Sequence, residues 1–157
     1  MTLGTSTKRV IDAGAELGLT IDIHHFPEGT KTAADAAAAI GCDVAAIVKS
    51  LVFLVDDEPV VALVAGDRRL DTDALAALAL GTSVERAPLE TVRQATGYVA
   101  GGTPPFGHVS TLRMFADVSL RRHRTVWAAG GTPSTVFPID LDDLDRVTAP
   151  TWGEIAR

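Results

Sequence analysis

Two apolar, β-branched segments joined by a short polar turn constrain the fold of this chain most strongly. The segments are Val48–Val55 and 60–65, and Asp56-Asp57-Glu58-Pro59 lies between them. Runs of this length and composition, bounded by acidic residues and proline, are typical of β-strands. A connection this short joins antiparallel neighbours. The pattern therefore predicts a buried β-hairpin.

Helical and strand patterns flank the hairpin on both sides. Apolar periodicity and capping residues predict helices at 6–17, 33–40, 71–80, 88–95 and 141–146. Short strands are predicted at 21–25, 84–86, 112–117, 125–129 and 135–138, with a turn at 27–29. Thr32 is expected to cap the second helix, Gly41 to end it, and Asp43 to cap one short turn at 44–47. Helices of variable length between the strands, without a regular βαβ rhythm, favour a single α+β domain (1–157) with a mixed sheet.

Composition indicates a soluble protein. Hydrophobic residues make up 46% of the chain, yet no apolar run approaches the roughly 18 to 20 residues that span a bilayer. The segment from Met1 to Leu17 has scattered charges and no apolar core of a secretory signal. Cys42 is the sole cysteine, so an internal disulfide is impossible, and we interpret it as a buried filler. A cytoplasmic location without membrane contact is expected.

The net charge of −6 limits how this chain contacts nucleic acid. Binding DNA or long RNA by neutralising phosphates requires a broad basic surface, so any RNA contact has to be local and DNA is not an expected partner. Basic residues cluster at Arg68-Arg69 and at 121–124. Either cluster is placed to touch a phosphate, and the alternative for both is a solvated surface.

Lys49 is unusual because it lies near the start of an apolar strand. Strand alternation places it on the same face as Leu51, Phe53 and Val55. A buried ammonium is costly unless it is paired. One interpretation puts Lys49 at the strand edge, with its ammonium reaching water. The other has it project into a pocket and present its charge to an anionic or carbonyl oxygen.

The segment 101–108, Gly-Gly-Thr-Pro-Pro-Phe-Gly-His, is the second unusual feature. Glycine lets main-chain N–H groups approach a ligand closely, and the prolines stiffen the turn that follows. Such a loop can act as an oxyanion hole, or it can be a rigid connection between two elements. From the loop alone these alternatives stand equal. Likewise, His108 is placed either to contact substrate or orient water, or to cap the turn.

Other catalytic and metal-binding patterns are missing from the sequence. There is no nucleophile elbow, no zinc-protease helix and no phosphate-binding loop of the Walker type. His24-His25 lacks a suitable third ligand, so neither a metal nor another cofactor is expected. Gly130-Gly131-Thr132-Pro133 repeats the first four residues of the 101–108 segment. A single recurrence with different flanks indicates two similar turns and not a repeat array.

Four segments together resemble the YbaK and prolyl-tRNA-editing family: 46–53, 60–64, 66–71 and 101–108. Lys49 falls on that family's lysine, and the loop from Gly101 to Pro105 fits its G-x-x-x-P motif. The resemblance implies a mixed sheet approaching a barrel, surrounded by helices. It also implies hydrolysis of the ester that joins a wrong amino acid to tRNA. The expected partners are the aminoacyl-tRNA acceptor end and an aminoacyl-tRNA synthetase.

The resemblance gives expected roles to the site residues. Lys49, Gly101 and Gly102 are expected to be catalytic, with the ammonium near the phosphate or ester oxygen and the two amides holding the carbonyl oxygen. Substrate contacts are expected from Thr103, Pro104, Pro105, Phe106 and His108. The amino acid removed, alanine or cysteine among the choices, stays open. So does the attacking group, which is water, an adenosine hydroxyl or a substrate thiol. A non-catalytic aminoacyl-end binder and a small-ester hydrolase are the alternative functions.

Overall fold

The computed structural model describes residues 4–28 and 32–157. Within these ranges the α-helices are α1 (Thr5–Glu16), α2 (Ala33–Ile40), α3 (Thr72–Ala79), α4 (Leu89–Thr96) and α5 (Leu141–Thr148). The strands are β1 (His24–His25), β2 (Val48–Val55), β3 (Glu58–Ala65), β4 (Val84–Arg86), β5 (Arg113–Asp117), β6 (Thr125–Ala129), β7 (Thr135–Asp140) and β8 (Thr151–Gly153). Short 3₁₀ helices lie at Val44–Ala46 and Val118–Arg122.

The strands form a mixed five-stranded sheet and an antiparallel three-stranded sheet. The first has the order β4-β2-β3-β5-β8, and the second has the order β1-β7-β6. In the larger sheet β3 and β8 pair with β5 in parallel, whereas β2 pairs with its neighbours in antiparallel. The α+β class with mixed pairing is thus confirmed. The sheets approach each other at a bridge between Ile47 and Trp127, but the described residues do not form a closed barrel.

The predicted hairpin is present and is tighter than expected. β2 and β3 pair along their whole length, from Val48 opposite Ala65 to Val55 opposite Glu58. The strand extends through Glu58, which leaves a two-residue turn at Asp56-Asp57, where both residues have positive φ (48° and 67°). Aspartate tolerates this left-handed conformation better than most residues. The acidic turn thereby fixes the register of the hairpin.

β2 separates two parts of the core. Val48 and Val52 pack on one side with residues of β6 and α1, whereas Phe53 and Val55 pack on the other side with Leu75 of α3. Because alternate residues of a strand point to opposite faces, Lys49 lies on the α3 side and Ser50 on the β6 side. Although their side chains leave opposite faces of β2, Lys49 and Ser50 both line one cavity near the start of the strand.

Local predictions mostly hold, with several corrections. The Thr32 hydroxyl caps α2 by accepting from Asp35 N at 3.0 Å, and Gly41 ends that helix in the left-handed region. Asp43 precedes the 3₁₀ turn without a side-chain capping bond. The strand expected at 21–25 is limited to His24–His25, because only these residues pair with β7.

Two further differences concern a side chain and a strand. Cys42 is half-buried and not fully buried. β8 was not predicted from the sequence. The turn expected at 27–29 lies partly outside the described residues. No helix in the described part of the chain is long and apolar enough to cross a membrane.

Candidate active site

A cavity of about 180 Å³ lies where the two sheets meet. Its walls come from the first half of β2, the facing ends of β6 and β7, the start of α2 and the loop after α4. Its lining residues are Thr32, Ala33, Ala36, Ile47, Val48, Lys49, Ser50, Leu51, Gly101, Thr103, Trp127, Ala128, Ala129, Thr135 and Val136. Lys49 carries the only charged side chain among them. The cavity is therefore an apolar recess with several hydroxyl groups and one cation in its wall.

Lys49 is half-buried, and its ammonium is held by the main chain. Its Nζ donates to the carbonyl oxygen of Arg68 at 2.5 Å. Burial lowers its pKa from the ordinary value, nearby Asp67 opposes that shift, and Arg69 and Arg86 add to it. An ammonium has three donors, so two remain for a ligand after the bond to Arg68. Each of the two interpretations of Lys49 is partly correct, because the residue lies at the edge of the core and its side chain also lines the cavity.

In the loop after α4, Gly101 lines the cavity, whereas Gly102 bonds to an earlier residue of the same loop. Gly101 lines the cavity with a φ of +85°. Its N–H has no acceptor among residues 4–28 and 32–157. In contrast, Gly102 N donates to Val99 O at 3.0 Å, and the Thr103 hydroxyl donates to the same carbonyl at 3.0 Å. Gly102 N–H is thus not free to hold a carbonyl oxygen in this structure, which leaves Gly101 N–H as the available amide.

The remaining predicted substrate contacts lie behind the cavity wall. Pro104 and Pro105 are buried, and Phe106 packs against Phe137 with ring centroids 5.7 Å apart. His108 Nε2 lies 2.7 Å from Pro104 O. A carbonyl only accepts, so this nitrogen carries the hydrogen and donates it. None of these four residues lines the cavity, and their contact with substrate stays a prediction. In the structure they stiffen the loop.

His108 gives the loop a testable pH dependence. Burial lowers its pKa, although the bond to Pro104 partly opposes the shift. The unfolded chain therefore binds a proton near pH 6.5 that the folded chain does not bind until lower pH, so stability falls as pH drops below about 6.5. We expect His108→Gln, which keeps an N–H donor, to flatten this part of the stability profile. Thermal melts of both proteins from about pH 5 to 7.5 measure it, and parallel profiles would contradict it.

A second loop, which carries the repeated Gly-Gly-Thr-Pro sequence at 130–133, packs against the first. A Cβ at Gly102 would lie 2.8 Å from Thr132 Cα and 3.0 Å from Gly131 O. Thr132 and Thr135 are joined by a 2.8 Å hydroxyl contact, and Thr135 lines the cavity. The two similar turns predicted from the sequence thus pack against each other.

Several cavity residues were not identified from the sequence. Trp127 and Val136 come from the second sheet, and no motif marks them. Ser50 follows Lys49 directly, and its hydroxyl is buried with no hydrogen-bond partner among the described residues. His24, considered above as a metal ligand, contacts Asp22 at 3.0 Å and the edge of Trp127. The described residues contain no group of three side chains suited to a metal ion.

This fold and site define an aminoacyl-tRNA editing domain. The family model described as "Aminoacyl-tRNA editing domain" matches residues 27–147, and the chain belongs to that family. Both Lys49 and the 101–108 loop fall inside the matched range.

Individual relatives agree with the family. The chain superposes with a TM-score of 0.94 on a solved structure of a candidate trans-editing enzyme for prolyl-tRNA synthetase, at 36% identity over 99% of both chains. It is 28% identical to the uncharacterized protein YwhH of Bacillus subtilis over 87% of each chain. It is also 39% identical to the proline–tRNA ligase of Maridesulfovibrio salexigens over 65% of this chain. That match spans only 17% of the ligase.

Proposed function

We propose that this protein is a cytoplasmic hydrolase that acts in trans, as one domain, to remove wrongly attached amino acids from tRNA. The proposed substrates are of the Ala- or Cys-tRNA(Pro) type. The observation that carries the proposal is the apolar cavity: among the described residues, Lys49 is the one cation of its wall, and the main-chain amide of Gly101 has no acceptor. Family membership supports the editing role. The similarity to a candidate trans-editing enzyme supports action apart from a synthetase.

The size and polarity of the cavity fit an aminoacyl group. Pockets for drug-sized ligands usually hold about 300–1,000 Å³, whereas this cavity holds about 180 Å³. A small amino acid fits such a space, and the adenosine that carries it then lies at the mouth. Apolar walls such as Trp127 and Val136 suit a short side chain. A synthetase distinguishes a methylene by only about 1–3 kcal/mol, which is why a second, size-selective site is useful.

The proposed chemistry needs no protein nucleophile. Water, an adenosine hydroxyl or a substrate thiol attacks the ester carbonyl carbon, and negative charge develops on its oxygen. Lys49 and the Gly101 amide stabilise that charge in a partly dry site, where such interactions are stronger than in water. Collapse of the intermediate breaks the carbon–oxygen bond to the ribose. When water attacks, this releases the free amino acid and restores the tRNA hydroxyl.

A deacylation panel tests the proposal. tRNA(Pro) charged with alanine, cysteine, serine or proline is incubated with the protein, and loss of the labelled amino acid is followed over time. We expect release of alanine or cysteine, with proline retained. Binding without release of any amino acid would favour a non-catalytic binder. Equal hydrolysis of free amino-acid esters and charged tRNA would favour a general small-ester hydrolase.

A further inference from the structure

Three arginines near Lys49, and a fourth that shares a groove with one of them, lack a carboxylate partner. Arg68, Arg69, Arg86 and Arg122, named here the arginine surface, have no carboxylate within 4.0 Å among the described residues. Three other arginines are paired: Arg113 with Glu58, Arg146 with Asp143 and Arg157 with Asp71. The remaining four also have no carboxylate within 4.0 Å among the described residues, and two of them stack on aromatic rings, Arg9 on Tyr98 and Arg121 on Trp152. The arginine surface is therefore distinguished by its position, because Arg68, Arg69 and Arg86 lie close to Lys49 and Arg122 shares a groove with Arg68.

The fold brings Arg68, Arg69 and Arg86 together around Lys49 from separate parts of the chain. Arg68 supplies the carbonyl that holds the Lys49 ammonium. Arg86 of β4 lies opposite Phe53 of β2, so it shares the face of the sheet that carries Lys49. Arg69 and Arg86 are also close enough to influence the charge of Lys49. The positive charge thus extends from the cavity along one side of the larger sheet.

A shallow groove extends the surface on the other side of Arg68. It has a volume of about 300 Å³ and is lined by Arg68, Arg122, Ser119, Asp117 and Glu154, among others. Asp117 is occupied by main-chain donors, accepting from Ser119 N, Ile155 N and Ala156 N at 2.9–3.1 Å. The negative charge of Asp117 is therefore stabilised by these main-chain N–H groups. Glu154 is the remaining carboxylate of the groove.

We propose that the arginine surface binds the phosphates of the tRNA acceptor strand next to the charged 3′ end. This inference rests on the proposed function and assigns the RNA contact to one face of the protein. Guanidinium groups match phosphate oxygens with two parallel hydrogen bonds, which suits a row of unpaired arginines better than a row of paired ones. Few phosphates are met, so the contact is compatible with an acidic chain.

The salt dependence of tRNA binding tests this surface. Two double variants are compared with the wild type: Arg68→Gln with Arg122→Gln, and Arg69→Gln with Arg86→Gln. Substitution of Arg68 leaves its carbonyl in place, so the Lys49 contact is kept. Each lost phosphate contact lowers the slope of log affinity against log salt by roughly 1, so each pair is expected to lower it by about 2. Over a fourfold change in salt, this corresponds to a roughly tenfold difference in affinity.

Two substrates and one control variant locate the effect. The Arg68→Gln/Arg122→Gln variant, which keeps the arginines that act on the pKa of Lys49, is expected to lose about tenfold in kcat/KM on charged tRNA and nothing on a minimal aminoacyl-adenosine ester. Lys8→Gln, which removes an exposed charge of α1, should leave both values unchanged. An equal loss on both substrates would overturn the proposal by placing the arginines in the active site. A loss seen only when a synthetase is added would overturn it in favour of a protein partner.

Uncharged tRNA separates this inference from the proposed function. Its binding is measured by filter retention at several salt concentrations and requires no catalysis. If the wild type hydrolyses no charged tRNA, the deacylase proposal fails, while the salt slope still tests the arginine surface. Wild-type slopes in both double variants would overturn the surface whether or not the protein is a deacylase.

Discussion

Lys49→Ala is expected to lower kcat/KM for deacylation by about 10²- to 10³-fold while the protein stays folded. The magnitude is that of removing one donor aimed at a developing oxyanion. Lys49 carries the only charge among the described lining residues of the cavity, so none of those side chains replaces it. The fold tolerates the change because the ammonium makes one hydrogen bond, to a main-chain carbonyl, and lies at the edge of the core.

Single-turnover deacylation and a thermal melt measure the two parts of this prediction. Lys49→Met keeps most of the apolar stem and removes the charge, so it should be as inactive as Lys49→Ala. Lys8→Ala serves as the matched control, because it removes an exposed lysine remote in sequence from the cavity. Near-wild-type turnover in Lys49→Met would remove the ammonium from the mechanism. Loss of the folded state in both Lys49 variants would contradict the claim that the residue is dispensable for folding.

Local chemistry in the sequence was sufficient to predict most of the elements. β-Branched runs gave β2 and β3, and the Thr32 cap and Gly41 gave the ends of α2. The pairing of strands that are distant in the sequence was harder to predict. β3 pairs in parallel with β5, about fifty residues further along, and β8 is only three residues long. Contacts of that kind depend on tertiary packing and leave no short-range pattern.

In the candidate site, too, features set by local sequence were predicted and features set by tertiary contacts were not. Lys49 stood out because a charge near the start of an apolar strand has to be explained, and the structure places it at the cavity. The glycine loop was found as a whole, but its amides were not distinguished. Whether Gly101 or Gly102 is free depends on a turn back to Val99, which sequence does not reveal. Trp127 enters the site only because the smaller sheet packs against the start of β2.

Gly102→Ala is expected to reduce turnover by about 10²-fold although Gly102 does not line the cavity. An added Cβ would lie 2.8 Å from Thr132 Cα and 2.9 Å from its carbonyl carbon. Main-chain atoms cannot rotate away as the end of a side chain can, so one loop has to move. A displacement near 1 Å at a catalytic group costs on the order of 10²-fold in rate. Overpacking of this kind also costs about 1–3 kcal/mol of stability.

A second glycine variant separates lost positioning from lost stability. Gly18→Ala places a side chain at a φ of +81° with no atom within 4 Å, outside the cavity lining. We expect it to lose about 1–2 kcal/mol of stability from backbone strain and to keep its turnover. When the two variants are compared at equal stability, Gly102→Ala should still show the reduction in turnover of about 10²-fold, because Gly101 lies in the same loop. Equal turnover in the two variants would show that contact between the loops does not position the Gly101 amide.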